Sequence, residues 1–224
     1  WHFLLKVSAT GSQQWIQSHG EFSVTTPYSA RYNYAYSVRQ TLDEGYIIGG
    51  TTGESYNGER YMMLIKTDEN GNQQSIRTFG GSVGPSGEFL MAYGTTAIQT
   101  SDGGYAMCGW YDKEIFGPDF HYDVYIIKID GNVTFSKTLN YSFTPNSWGA
   151  GDYSNDYGYS IEQTSDNGYI IGGRSENKVF LIKLDINGDT LWTKGVGNDV
   201  VGGLQVKQTS DGGYIIGTTK NDSI

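Results

Sequence analysis

Carboxylates, arginines and histidines are the side chains here that could do chemistry, and their spacing decides which chemistry is open. Hydrolysis of a glycosidic bond needs two carboxyls flanking it, roughly 5 to 9.5 Å apart. Asp112 with Asp152 or Glu54 could supply such a pair from separate loops, which would make the chain a glycan-active enzyme. His2, His19 and His121 stand beside no nucleophile motif, and neither a Gly-x-Ser-x-Gly elbow nor a phosphate loop occurs. The expectation therefore leans away from catalysis.

Metal ligation is the next chemistry to weigh. Asp185-Ile186-Asn187-Gly188-Asp189 has the order of residues that opens a calcium loop, but it lacks the later bidentate Glu and sits where a hairpin turn is expected. Asp152, Asn155 and Asp156 with Asp119 and Asp123 make a looser acidic group. Cys108 is the single cysteine, so it closes no disulfide within the chain, and no Cys/His spacing matches a zinc site. No cofactor is expected, with calcium as the one alternative left open.

Aromatic residues are the third resource. Tyr32, Tyr34, Tyr56, Tyr111, Tyr122, Trp148 and Tyr153, with Asp152 among them, fall in long dissimilar segments of the chain and are the expected ligand-binding residues. Flat rings beside Asp, Asn and Arg suit sugars, whose C–H faces stack while their hydroxyls accept and donate hydrogen bonds. They suit protein partners equally well, because Tyr and Trp supply much of the energy at interfaces.

The elements that position these residues come from two alternating hairpins. Gln208-Thr-Ser-Asp-Gly-Gly-Tyr-Ile-Ile-Gly217 has earlier versions starting at Gln40, Gln99 and Gln163, and a period of 45 to 64 residues marks a repeat architecture. The turn within each copy is expected to need its glycine, Gly168 for example, for a positive φ, with the Asp accepting backbone N–H groups. The second hairpin recurs as Phe3-Leu-Leu-Lys6, Met63-Leu-Ile-Lys66, Tyr125-Ile-Ile-Lys128 and Phe180-Leu-Ile-Lys183, each followed by an Asp/Asn/Gly or Ser/Gly turn. In two copies a tryptophan, Trp15 or Trp192, follows nine residues after the lysine. The recurring lysines are expected to pair with acids of the scaffold or to lay their stems over aromatic neighbours.

Two hairpins in alternation give four-stranded antiparallel meanders, which are the blades of a β-propeller. The reading is one all-β domain over 1–224, with blades near 33–75, 92–135, 156–192 and 201–224 plus 1–15. The chain begins at a third strand and ends after a second, so four blades close if both termini share the last one; a fragment of a larger propeller is the competing reading. Ala35, Gly94, Gly158 and Gly203, each five residues before a glutamine, are expected to relieve crowding where the inner strands converge.

Composition narrows the partners. A net charge of −9 disfavours nucleic acid and anionic membrane surfaces, and no apolar run reaches the roughly 18 residues of a membrane span. With neither an initiator Met nor a leader before Trp1, the sequence reads as a mature or excised segment.

The pattern Gln-Thr-Ser-Asp-Gly-Gly-Tyr-Ile-Ile-Gly followed by Leu-Ile-Lys-Leu-Asp-x-Asn-Gly-x-x-x-Trp resembles the propeller repeats of many secreted or surface proteins of bacteria and archaea. That resemblance implies an extracellular or cell-surface location. It implies a fold more than an activity, since the shared residues are scaffold residues. This chain departs from it at Ser75, where the tryptophan is missing, and after Asp130, where the turn is two residues shorter. The Thr-x-Asp-x-Gly order of Thr164, Asp166 and Gly168 also resembles the turn motif of sialidase propellers; sialidase chemistry would need three arginines, and Arg31, Arg39, Arg60, Arg77 and Arg174 form no recognisable set. The expected role is thus a non-catalytic binding or interaction propeller for a glycan or a surface protein, with a glycan-active enzyme, or a module of a larger surface assembly or oligomer, as alternatives.

Overall fold

The structure is a computed structural model that describes residues 2–19, 31–54, 60–80, 82–83, 89–112, 122–139, 155–176, 178–198 and 200–220. These residues form strands and tight turns, with no helix among them. The chain divides between Gln99 and Thr100 into two compact units.

The first unit opens with the hairpin β1 (His2–Val7) and β2 (Gln13–His19), a two-stranded sheet. A four-stranded antiparallel meander follows, of β3 (Arg31–Gln40), β4 (Tyr46–Glu54), β5 (Arg60–Thr67) and β6 (Gln73–Phe79). Two short strands, β7 (Ser82–Val83) and β8 (Phe89–Leu90), precede β9 (Ala92–Gln99). The core here gathers Leu4 of β1 with Ile48, Met63 and Ile65, and Trp15 packs edge-on against Tyr46 with ring centroids 5.8 Å apart.

In the second unit β10 (Tyr105–Asp112), β11 (Tyr122–Asp130) and β12 (Asn132–Leu139) lie in one antiparallel sheet in the order β12-β11-β10. Another full meander contains β13 (Asp156–Gln163), β14 (Tyr169–Ser175), β15 (Lys178–Leu184) and β16 (Thr190–Asn198). Last comes the two-stranded sheet of β17 (Val200–Gln208) and β18 (Tyr214–Lys220). Ile170 and Leu181 pack against Val206, with Trp192 edge-on to Tyr214. Four-stranded antiparallel meanders repeated along the chain give a β-propeller-like, all-β architecture.

One mechanism locks the first hairpin in three of the four repeats. Asp102 accepts from the Thr100 hydroxyl at 2.6 Å and the Gly104 N–H at 3.1 Å, and its other oxygen meets the Lys128 ammonium at 2.9 Å. Asp43 with Lys66 and Asp166 with Lys183 repeat the arrangement, each pair at 2.8 Å. The recurring lysines are therefore scaffold cations, buried to their tips in the complete sheets. These bonds hold the three carboxyls down to about 2; the Lys66 and Lys183 hydrogen bonds contribute most for Asp43 and Asp166, and the Thr100 hydroxyl for Asp102. A glutamine then ties each of these three turns to the next sheet: the side chains of Gln99, Gln163 and Gln208 accept from the Leu42, Ser101 and Ser165 N–H groups at 2.7 to 2.8 Å.

The glycine of this turn is required for a different reason than positive φ. The left-handed position is the residue before it, occupied by Glu44 (φ 65°), Gly103 (83°), Asn167 (64°) and Gly212 (84°). At Gly168 itself a Cβ would lie 2.2 Å from the Leu184 carbonyl oxygen and 2.6 Å from the Lys183 ammonium. The residue is small so that lysine and strand can close over the turn. Gly158 is small for a related reason, since its Cβ would meet the Gly109 carbonyl of the adjacent sheet at 2.6 Å. Ala35, by contrast, is exposed, so crowding does not explain all four small positions.

Candidate functional site

Away from the locked turns, the strand ends of the second unit carry a cluster of rings. Alternation along β10 and β11 sends Trp110, Asp112, Tyr122 and Val124 to one face of the sheet and Tyr111, Asp123 and Tyr125 to the other. Trp110 and Tyr122 meet the next sheet, where β13 offers Tyr157 and Tyr159. Trp110 stands edge-on to both, at 5.2 Å from Tyr157 and 5.7 Å from Tyr159, while Tyr122 lies 5.5 Å from Tyr157. All four residues are half-buried.

A register irregularity between Gly158 and Ser160 leaves Tyr159 as the extra residue of β13. Such a bulge re-aims a side chain without ending the strand. Burial raises the Tyr159 hydroxyl pKa, against a lowering by the nearby Arg174 charge, so the phenol is neutral and able to donate at pH 7.

Polar groups frame the rings. Arg174, opposite Tyr157 on β14, places its guanidinium 5.5 Å from the centre of the Tyr157 ring. Asn155 accepts from the Tyr122 N–H at 3.1 Å and so fixes the start of β11. Asp112, directly opposite Tyr122, and Asp156, beside Tyr157, are buried carboxylates.

The expected binding residues are thus only partly brought together. Tyr122 belongs to the cluster, but Tyr111 lies on the reverse face, 5.4 Å from Tyr125. In the first unit Tyr34 stacks on Tyr36 at 6.0 Å, with both rings exposed, and Tyr32 lies on β3 beside them in sequence. Tyr56, Trp148, Tyr153 and Asp152 lie outside the described residues, as do Asp119 and His121. Trp110, Tyr157, Tyr159 and Arg174 complete a group that spacing alone does not single out. The signal that could have found it is the alternation of β10 and β11 counted back from Lys128.

The calcium-like run is a turn. Asp185 accepts from the Asn187 and Asp189 N–H groups at 2.9 and 2.8 Å, and Asp189 pairs with Lys137. Among the described residues no group of three or more His, Cys, Asp or Glu could hold a metal ion. Cys108 is buried. In the first unit His2 and His19 face each other across β1 and β2, both buried; burial lowers the pKa of each, that of His2 to about 4.

The fold and the cluster define a propeller-like scaffold with an aromatic, charge-framed surface. No family model matches the chain, and no curated protein does. Among solved structures it is similar to a protein of unknown function from Bacteroides caccae, with a TM-score of 0.52 and 12% identity. The match covers 96% of this chain and 64% of that one, so this chain spans less than two thirds of that protein's length. At that identity the likeness is one of fold.

Proposed function

We propose that this chain is a non-catalytic binding module of the cell surface or extracellular space that recognises a glycan through Trp110, Tyr122, Tyr157 and Tyr159. The observation that carries the reading is the meeting of four half-buried rings from two adjacent sheets beside the Arg174 guanidinium. Sugar C–H faces stack on such rings, and hydroxyls or a sugar carboxylate pair with the guanidinium and the Tyr159 hydroxyl. A glycan array read with the wild-type chain and with Trp110→Ala/Tyr157→Ala tests it. Binding to a defined glycan class that the double variant loses is the expected outcome. No glycan bound, or equal binding by both proteins, would contradict it; hydrolysis of a bound glycan would favour the enzyme instead.

The finer reading of the fold is that β17–β18 and β1–β2 together make a fourth blade. Phe3 and Leu5 are 69% and 52% exposed, whereas Met63, Ile65, Phe180 and Ile182 at the same repeat positions are buried. Ile215 is 62% exposed where Ile47, Ala106 and Ile170 are buried. Two half-blades with bare apolar faces complement each other, and closure removes two strand edges. In the complete sheets Ile48 faces Ile65, Met107 faces Ile127 and Ile171 faces Ile182, which sets Ile216 opposite Leu5. Ile216→Cys/Leu5→Cys should therefore oxidise to a crosslinked monomer on a non-reducing gel. Failure to crosslink, or crosslinking only between chains, would count against closure.

A further inference from the structure

The repeat gives an internal standard for the pair of residues at the far end of the third and fourth strands. Four residues before the recurring lysine, Met62 faces Phe79, Val124 faces Leu139 and Val179 faces Val196. All three pairs are apolar. At the same position in β1–β2, four residues before Lys6, His2 faces His19.

Packing does not account for this exchange. His2 and His19 are 7% and 3% exposed, and neither ring nitrogen of His2, nor Nε2 of His19, has a hydrogen-bond partner. Burying polar atoms in that way costs stability that an apolar pair would not lose. The arrangement makes sense if the ring nitrogens serve something that supplies the missing partner.

We propose that His2 and His19 form a binding site for a first-row divalent transition ion, held by the two facing imidazoles. Directly opposed residues on antiparallel strands have Cβ atoms about 4.5 to 5.5 Å apart, a separation from which two imidazoles can reach one ion. The ring centroids are 6.5 Å apart with planes inclined at 31°. With metal–nitrogen bonds of about 2.0 to 2.1 Å, rings sharing a tetrahedral ion have centroids roughly 5 to 5.5 Å apart, so side-chain rotation must bring them about 1 Å closer. Imidazole nitrogen selects Cu2+, Ni2+ and Zn2+ over Ca2+ and Mg2+, with Cu2+ bound most tightly. His2 also lines a cleft of about 220 Å³ with Phe3, Leu4, Tyr36, Ser37 and Val38.

The test uses tag-free protein, since a histidine tag would bind the same ions. Titration with Cu2+, Ni2+ or Zn2+ should show one site per chain by calorimetry. It should raise Tm by roughly 5 °C or more at a hundredfold excess over Kd, reversibly with a chelator. His2→Val/His19→Val, which copies the Val179–Val196 pair, should fold with equal or higher Tm and lose the metal response, while His121→Ala should keep it. No response in the wild type, a response that survives in the double valine variant, or an equal response to Ca2+ would overturn the assignment.

Discussion

The two ends of these sheets are built on opposite rules. At the turn end the same groups recur from sheet to sheet: an aspartate, the threonine and glycine N–H it accepts from, and a buried lysine from the neighbouring hairpin. At the other end an apolar pair recurs on the third and fourth strands, as in Met62–Phe79 and Val179–Val196, but Trp110, Tyr122, Tyr157, Tyr159 and Arg174 meet once. Repetition marks groups whose partners lie within the scaffold. The ring cluster departs from that repetition, and so does the His2–His19 pair.

The largest effect is expected at the turn end. Gly168→Val puts a side chain where the Leu184 carbonyl and the Lys183 ammonium already stand, and should cost roughly 3 kcal/mol or more in urea unfolding. Near-wild-type stability would show that the lysine and the strand can move aside.

A smaller effect is expected from Lys183→Met, about 1 to 2 kcal/mol, because the ammonium also donates to the Leu184 carbonyl at 2.9 Å. Lys6 occupies the same repeat position, but its ammonium is 6.0 Å from the centre of the Tyr46 ring and pairs with no carboxylate among the described residues. If β1–β2 and β17–β18 close into one blade as proposed, Lys6 finds Asp211 and Lys6→Met should cost about as much as Lys183→Met; a cost under about 0.5 kcal/mol would count against closure.

Acid should reach the turn end next. Asp43, Asp102 and Asp166 are held at about 2 in the folded chain, below the ordinary carboxylate value of about 3.9. Because the folded state holds these protons less tightly than the unfolded state, the stability they contribute is complete above about pH 4 and is lost as pH falls toward 2. Thermal melts across that window should show a declining Tm in the wild type and a shallower decline in Asp166→Asn. Parallel declines would mean that Asp166 contributes no share of it. A stability change no larger than that at Lys183 belongs to the ring cluster, where Tyr157→Ala should cost about 1 to 2 kcal/mol, since that residue is half-buried.

Much of the scaffold is legible in the sequence. Tyr-Ile-Ile-Gly and Leu-Ile-Lys runs carry strand propensity and turn punctuation in the same few residues, so the hairpins, their order and the roles of the lysines follow from local pattern. The turn glycine is legible in its position but not in its cause, because the collision at Gly168 comes from Leu184 and Lys183, far along the chain. Phe135 stands where Trp15 and Trp192 stand in two of the other repeats. It faces Lys128 as Trp192 faces Lys183, but the shorter turn hides the match in a residue count. The ring cluster is only half legible. Loop composition points to Tyr122 and Tyr111 alike, although strand alternation sends Tyr111 to the reverse face. Contacts between sheets, such as Trp110 with Tyr157, depend on how blades pack, and no local motif encodes that.

The most direct test of the division between the two ends is an amide chemical-shift map of the chain with a bound glycan selected from the array. Shifts should concentrate at Trp110, Tyr122, Tyr157, Tyr159 and Arg174 and be absent from the turns at 41–45, 100–104, 164–168 and 209–213. Shifts confined to those turns, with the ring cluster unmoved, would contradict the account.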